Sequence, residues 1–310
     1  MGRDHPVDPR GVRRVLPALA AQARRGVVTV AKNNAVQGRK RSLGASAALH
    51  AGLIAASVIS AFPVLWIFLT SLKPAGHETS SKFVDHPSFA AYGDLLSHTK
   101  FLTWFGNSVL VAGCTTVVGC FLAATTGYAV SRFRFPGMRP VMWTLLITQM
   151  FPVAILIVPL YQLLAKLQLL NQPTGLILTY LTIAVPFSAW TMKGYFDTIP
   201  TEIDEAGRID GLNPFGTFWR LILPLARPGL AVTAFYSFIT AWGEVAYATQ
   251  FMTGTDKMTL SAGMQTFVNQ YSENWSMMST ASVLIAIPAA VVFLLVQRHL
   301  VAGQTAGSVK

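Results

Sequence analysis

Apolar positions in this chain fall neither in strict alternation nor along a single helical stripe; they run in long blocks. Six blocks stand out, at roughly 46–70, 107–131, 141–165, 175–192, 229–252 and 281–300. A stretch of about 18 or more apolar residues is long enough, as helix, to cross a hydrocarbon core about 30 Å thick. Only helices and closed barrels satisfy their backbone polar groups there. The pattern predicts an all-α membrane protein with six transmembrane helices. The 175–192 block is near the minimum length and contains Pro186. The first block is no cleaved signal: it is too long, its apolar run continues through Phe62-Pro63-Val64-Leu65-Trp66, and no small-residue cleavage site follows.

Composition agrees. Hydrophobic residues make up 52% of the 310 residues and charged residues 12%, about half the charge content of a soluble domain. Cys114 and Cys120 both lie in the second block. Six positions apart on one helix, they match neither a redox nor a metal pair and read as small apolar residues.

The formal net charge of +11 invites a nucleic-acid reading, but its distribution points elsewhere. With the N-terminus inside, ten Lys/Arg fall in the tail to residue 41, three in 132–140, four in 193–228 and two, Arg298 and Lys310, at the C-terminus. The other face carries five: Lys73, Lys82, Lys100, Lys166 and Lys257. Cationic segments stay cytoplasmic during insertion, so both termini are expected in the cytoplasm, and no nucleic-acid partner is implied. Residues 1–44 form a basic cytoplasmic extension ahead of a membrane domain over 45–310. Val12, Val15, Leu16 and Leu19 at helical spacing among arginines suit a helix lying on anionic membrane lipid; an unstructured tail that holds the topology suits the same residues.

The outer loop 73–106 ends in Phe101, Trp104 and Phe105, which read as an interfacial aromatic belt. The 166–174 loop is short, and 253–280, with Asn269, Gln270, Tyr271 and Asn274, reads as a solvated connection. The cytoplasmic loop 193–228 carries more information. Pro200-Thr201 opens a helix in which Thr201 and Asp204 stand at capping-box spacing. Glu202, Asp204 and Glu205 occupy the turns that a helix dipole favours for negative charge. Gly211-Leu212-Asn213-Pro214 ends it. Ala206, Gly207 and Gly211 leave part of its surface almost bare. Phe215, Phe218, Trp219 and Ile222 then mark a second amphipathic stretch before Pro224 and Pro228. A short acidic helix of this shape suits docking in a partner's groove; an ordinary re-entry loop has the same signature.

Catalytic anchors are absent from the sequence. There is no GxxxxGK[ST] phosphate loop, no GxSxG elbow, and no metal spacing among His5, His50, His77, His86, His98 and His299. Glu244 is the one acidic residue well inside an apolar block. A carboxylate there is costly and either bonds a neighbouring helix or lines a path. Gln149, Tyr161, Tyr236 and Trp242 suit sugar stacking, and equally suit plain packing; no sugar site is assigned.

The stretch Glu205-Ala206-Gly207-Arg208-Ile209-Asp210-Gly211, followed by Ile222-Leu223-Pro224, resembles the EAA loop of ABC importer permeases, EAAxxxG with a later I-x-L-P. Glycine stands for the second alanine, and Ile-Leu-Pro is contiguous. Phe62–Pro74, Trp104–Ser108, Met150–Tyr161 and the tail from Gln297 to Lys310 are similar to segments of maltose-type sugar-importer permeases. Trp242-Gly243-Glu244-Val245 stands where many of them have Trp-Asn-Glu-Phe. The resemblance covers nearly all of 58–310 and leaves out the basic extension.

That resemblance implies a type I ABC importer permease (MetI-like) fold, with a cytoplasmic coupling helix in the loop at about 198–228. It implies that Glu205, Ala206, Gly207, Asp210 and Gly211 contact cytoplasmic ATPase subunits, whose closure on ATP switches the permease between inward- and outward-facing states. The chain itself would hold no cofactor, ATP being bound by those subunits. Further implied partners are a second, MalF-like permease and an extracytoplasmic sugar-binding protein that meets the loop 253–276; the C-terminal tail reaches toward the ATPase. The implied cargo is maltose, a malto-oligosaccharide or a related sugar, with glycerol phosphate the alternative. An ion-coupled secondary transporter would show internal repeats and several intramembrane charges, and here there is no repeat. A membrane-embedded enzyme is the other rival.

Overall fold

A computed structural model describes residues 43–74, 86–267 and 275–306, and every regular element among them is helical. The chain divides into two compact units, Met1–Phe62 and Pro63–Lys310. The described part of the first unit belongs to α1 (Leu43–Ser71), which has no acidic residue in its first turn and no basic residue in its last. The extension before residue 43, for which a lipid-lying helix and an unstructured tail are the two readings, falls outside the described residues, as do 75–85, 268–274 and 307–310.

In the second unit α2 (Ala90–His98) precedes α3 (Phe101–Arg132), α4 (Met138–Thr148), α5 (Val153–Lys166) and α6 (Pro173–Asp197). Then come α7 (Glu202–Ile209), α8 (Pro214–Leu225), α9 (Arg227–Trp242), α10 (Ala246–Phe251), α11 (Leu260–Gly263) and α12 (Trp275–Ala306). Among the described residues four helices are long and apolar enough to cross a membrane: α1, α3, α6 and α12. Two bent pairs have the same length and composition together, α4 with α5 at 106° and α8 with α9 at 83°. Counting each pair as one span gives six.

The expected third span, 141–165, is therefore not one continuous helix. Pro152 lacks the N–H that would continue α4 and sits in extended backbone as the N-cap of α5, so the chain turns at 149–152. The expected fifth span, 229–252, is helical only to Trp242; Gly243-Glu244-Val245 break it before α10. The second span begins earlier than 107, at Phe101. The aromatic group placed in the interface belt is consequently interior: Phe101 is 2% and Trp104 4% exposed, and the Trp104 indole N–H donates to the Thr255 carbonyl at 2.7 Å. The loop 73–106 also holds an unforeseen helix, α2, which buries Leu95 completely.

The frame is a trio of packed helices, α3, α6 and α9, with α12 against α9. Membrane helices have no hydrophobic drive to associate with one another and pack by close van der Waals contact through small residues. Here Ala123, Ala124 and Ala189 are fully or almost fully buried. At Gly127 a β-carbon would lie 2.8 Å from both the Lys193 nitrogen and the Met192 β-carbon, so α3 and α6 meet backbone to backbone. Two apolar clusters sit at opposite ends of the trio. One gathers Phe101, Trp104, Tyr180, Trp242, Tyr247 and Phe251; the other gathers Tyr128, Met192, Phe196, Phe218 and Ile222 beneath α7 and α8.

The connection after α10, read as a solvated loop, is built in where it is described. Asn107 Nδ2 donates to the carbonyls of Asp256 and Met258 at 2.8 and 2.9 Å, and the Leu260 N–H donates to Ser108 Oγ at 2.7 Å. Lys100 pairs with Asp256 at 2.8 Å. Met252, Leu260 and Ala262 are buried.

Candidate functional site

The turn 198–201 leads from α6 into α7, and α7 is helical for physical reasons visible in its ends. Three carboxylates, Glu202, Asp204 and Glu205, occupy its first turn, where unsatisfied N–H groups carry partial positive charge. The C-terminus closes as a Schellman motif. The Leu212 N–H bonds the Gly207 carbonyl at 2.8 Å and the Gly211 N–H bonds the Arg208 carbonyl at 3.1 Å, with Gly211 at φ +79°. That left-handed position favours glycine. Asn213 then caps α8, its Oδ1 accepting from the Gly216 N–H at 2.7 Å, and Pro214 stands in the first turn.

The capping box expected of Thr201 and Asp204 does not form. Thr201 makes no side-chain cap, and the Asp204 carboxylate turns inward instead. Tyr128 Oη donates to its Oδ1 at 2.6 Å and Arg132 Nε donates to its Oδ2 at 2.8 Å. The ion pair is buried, its side chains 8% and 9% exposed. Arg132 Nη2 also reaches the Ile199 carbonyl at 2.8 Å, and Ser131 Oγ donates to Asp197 at 2.7 Å. Sequence reasoning missed this network. Its one signal is that Tyr128 and Arg132, four apart, share a face at the end of an apolar helix.

The five residues singled out on this helix separate into two groups. Glu205, Ala206, Asp210 and Gly211 are exposed. Gly207 faces inward, where a β-carbon would lie 2.7 Å from Thr217 Oγ1 and 3.0 Å from Leu221. The amphipathic stretch of α8 likewise splits: Phe218 and Ile222 are buried, while Phe215 and Trp219 are exposed. Ile209 is 86% exposed, an apolar side chain between the charged Arg208 and Asp210 that sequence reasoning passed over. The middle of α8 widens to a π turn over Phe218–Ile222, the Leu223 N–H bonding the Phe218 carbonyl. Pro224, which has no N–H for the Arg220 carbonyl, accounts for the widening.

Glu244 lies at the other end of α9 and is half-buried. Its carboxylate accepts the Tyr180 hydroxyl at 2.8 Å and the N–H groups of Tyr247 and Ala248 at 2.9 and 3.1 Å. It thus caps α10 and ties it to α6. A carboxylate that faces three donors is a satisfied group.

Of the polar and aromatic candidates on the spans, Trp242 is buried with its indole N–H on the Ile285 carbonyl at 3.0 Å. Tyr236 packs on Phe187, ring centroids 4.4 Å apart, and Tyr161 on Phe251. Gln149 lines a cavity of about 730 Å³ between α3, α6 and the bent α4–α5 pair, otherwise walled mainly by leucine, isoleucine, valine and phenylalanine side chains.

Comparison with known proteins agrees with this architecture. Residues 116–305 match the family described as binding-protein-dependent transport system inner membrane component. The maltose/maltodextrin transport system permease protein MalG of Vibrio vulnificus is 37% identical over 282 residues, 85% of this chain and 95% of that protein. The diacetylchitobiose uptake system permease protein DasC of Streptomyces coelicolor is 32% identical over 252 residues, 80% and 91%. A crystal structure of a bacterial ABC transporter involved in the import of the acidic polysaccharide alginate contains a chain of the same fold, with TM-score 0.71 at 23% identity, covering 85% of this chain and 98% of that one. This multi-pass, all-helical membrane chain belongs to the inner membrane component family of binding-protein-dependent transport systems.

Proposed function

We propose that this permease imports maltose, a maltodextrin or a related oligosaccharide, and that α7 is the element through which ATP hydrolysis in separate subunits drives it. The chain carries no cofactor of its own; ATP binds to the partner subunits. Both termini and α7 lie in the cytoplasm, as the excess of Lys/Arg on that side favours. Glu205, Ala206 and Asp210 form the face that meets the ATPase, and Gly207 and Gly211 shape the backbone behind it. A second, MalF-like permease completes the bundle, and an extracytoplasmic sugar-binding protein docks at the loop 253–276.

One observation carries this reading. A short helix with an exposed acidic face, Ile209 and Phe215 beside it, is fixed to the end of the membrane-spanning α3 by Tyr128 and Arg132, and Arg132 also holds the turn that leads into it. A connection that only returned the chain to the membrane would not need such fixing. The substrate class rests on the relatives named above, which carry maltodextrins and diacetylchitobiose in their own organisms.

The test is reconstitution of this chain with its companion permease, ATPase and binding protein in liposomes. Labelled maltose, maltotriose, diacetylchitobiose and glycerol 3-phosphate are offered with internal ATP. Uptake of maltose or maltotriose that stops without ATP supports the reading. Uptake of glycerol 3-phosphate alone refutes the sugar assignment, and uptake without the ATPase refutes the coupling.

A further inference from the structure

The buried network under α7 does more than satisfy its own members. We infer that Tyr128, Arg132 and Asp204 are positioning residues that clamp α7 to the end of α3, so that displacement of α7 is delivered to the membrane-spanning trio through α3. This rests on α7 being the coupling element.

The geometry carries the argument. Covalently, α7 hangs between two turns, 198–201 from α6 and 210–213 into α8. A helix tethered only at two turns can pivot about the line joining them, and a push on its exposed face would be absorbed in that rotation. Two contacts block the pivot. On one side Gly207 rests on Thr217 and Leu221 of α8. On the other, Asp204 is held from two directions by Tyr128 and Arg132, four residues apart on α3. The Arg132 guanidinium spans the hinge itself. Its Nε holds Asp204 after the turn and its Nη2 holds the Ile199 carbonyl inside the turn. Planar, forked donors fix two acceptors at once in a way a lysine ammonium does not. The pair is nearly shielded from water, so salt screens it little.

The Tyr128 ring adds a lateral stop. It stands edge-on to Phe196 of α6 at 5.7 Å and against Phe218 of α8 at 4.9 Å between centroids. Its hydroxyl is therefore presented to Asp204 by packing on two other helices. A well-packed apolar trio would hold the fold together as well as a buried ion pair does. What the ion pair adds is a single orientation of α7 on α3.

The assembled transporter in liposomes tests this with two readouts, sugar moved per ATP hydrolysed, and the width of the spin-label distance distribution between Ala206 on α7 and Val118 on α3. The probe sugar is whichever of maltose, maltotriose or diacetylchitobiose the unaltered protein imports. Asp204→Asn and Arg132→Gln are expected to lower the ratio at least about fivefold and to broaden the distribution. Tyr128→Phe, which keeps the ring and deletes one hydrogen bond, and Arg132→Lys, which keeps the charge but not the fork, fall between them and the parent.

A ratio within twofold of the parent in both Asp204→Asn and Arg132→Gln overturns the clamp. So does loss of the ATPase from the purified complex with the distance distribution still narrow, because the network would then only shape the docking face. Glu205→Trp, on the exposed face of α7 and away from the packing against α8, separates this proposal from the reading beneath it. If that variant abolishes coupling while the clamp variants retain it, α7 is the coupling element and the clamp is wrong. If none of the three affects coupling, the reading of α7 itself fails.

Discussion

Gly207 and Thr217 face each other across the α7–α8 contact so closely that a β-carbon on the glycine would lie 2.7 Å from the Thr217 hydroxyl oxygen and 3.0 Å from its methyl group. The bareness of α7 on this side thus serves packing within the chain, while Glu205, Ala206 and Asp210 stand on the exposed side.

Enlarging Gly207 should push α7 away from α8. Alanine gains about 1 kcal/mol of helix propensity, set against overpacking that costs about 1–3 kcal/mol. Gly207→Ala is expected to be mildly destabilising and Gly207→Leu severely so. Adding Thr217→Ala, which removes two of the three close atoms and leaves Leu221 at 3.0 Å, should restore part of the loss in each case. Thermal unfolding of the detergent-solubilised chain reads this directly, and an absence of recovery would mean that α7 rests on something other than Thr217.

Gly211 poses a different constraint. Nothing lies within 4 Å of its β-carbon position, and φ is +79°, so a side chain there meets backbone strain and no clash. Alanine is expected to cost about 1 kcal/mol, asparagine less and valine more. That ordering in unfolding temperature checks the assignment. Equal losses for all three would point to a contact made by the glycine.

Glu244→Gln replaces an acceptor-only group with one bearing an NH2, opposite three donors. One buried N–H or hydroxyl is left unmatched, a loss of about 1–3 kcal/mol. Tyr180→Phe should cost less, since the carboxylate keeps the Tyr247 and Ala248 N–H groups. The double variant should cost less than the sum of the two. The Gln variant is expected to assemble with its partners yet import more slowly, because the loosened α10 packs on α5 and α6. Normal uptake in vesicles would remove Glu244 from the mechanism.

Asn107→Ala deletes both bonds to the carbonyls of Asp256 and Met258, about 1–2 kcal/mol of local stability. Amide hydrogen exchange over 252–263 should rise about tenfold or more, with α6 unaffected. Unchanged exchange would show that Ser108 and Trp104 hold that segment by themselves.

Much of this was legible in the chain because the signals were local. The carboxylates at 202–205 and the glycine at 211 lie within one helix and its stop, so α7 and its end could be read. Asp204 misled because capping-box spacing and an inward ion pair look alike along the chain; its partners lie on α3, 76 and 72 residues away. Pro152 was visible, but apolar blocks on both sides concealed a bend of 106°. Phe101 and Trp104 suggested an interfacial belt because an aromatic group beside polar residues has the same pattern whether it meets lipid headgroups or a folded loop. Glu244 stood out by its charge, while its donors depend on a helix break that only the fold reveals.

The most direct measurement puts a single cysteine at Ala206, with Cys114 and Cys120 first replaced by alanine, in cells expressing the assembled transporter. A membrane-impermeant thiol reagent should leave intact cells unlabelled and label inside-out vesicles, and a short bifunctional crosslinker should join residue 206 to the ATPase subunit in an ATP-dependent manner. Labelling from outside the cell, or labelling inside with no crosslink to the ATPase in any nucleotide state, would contradict the account.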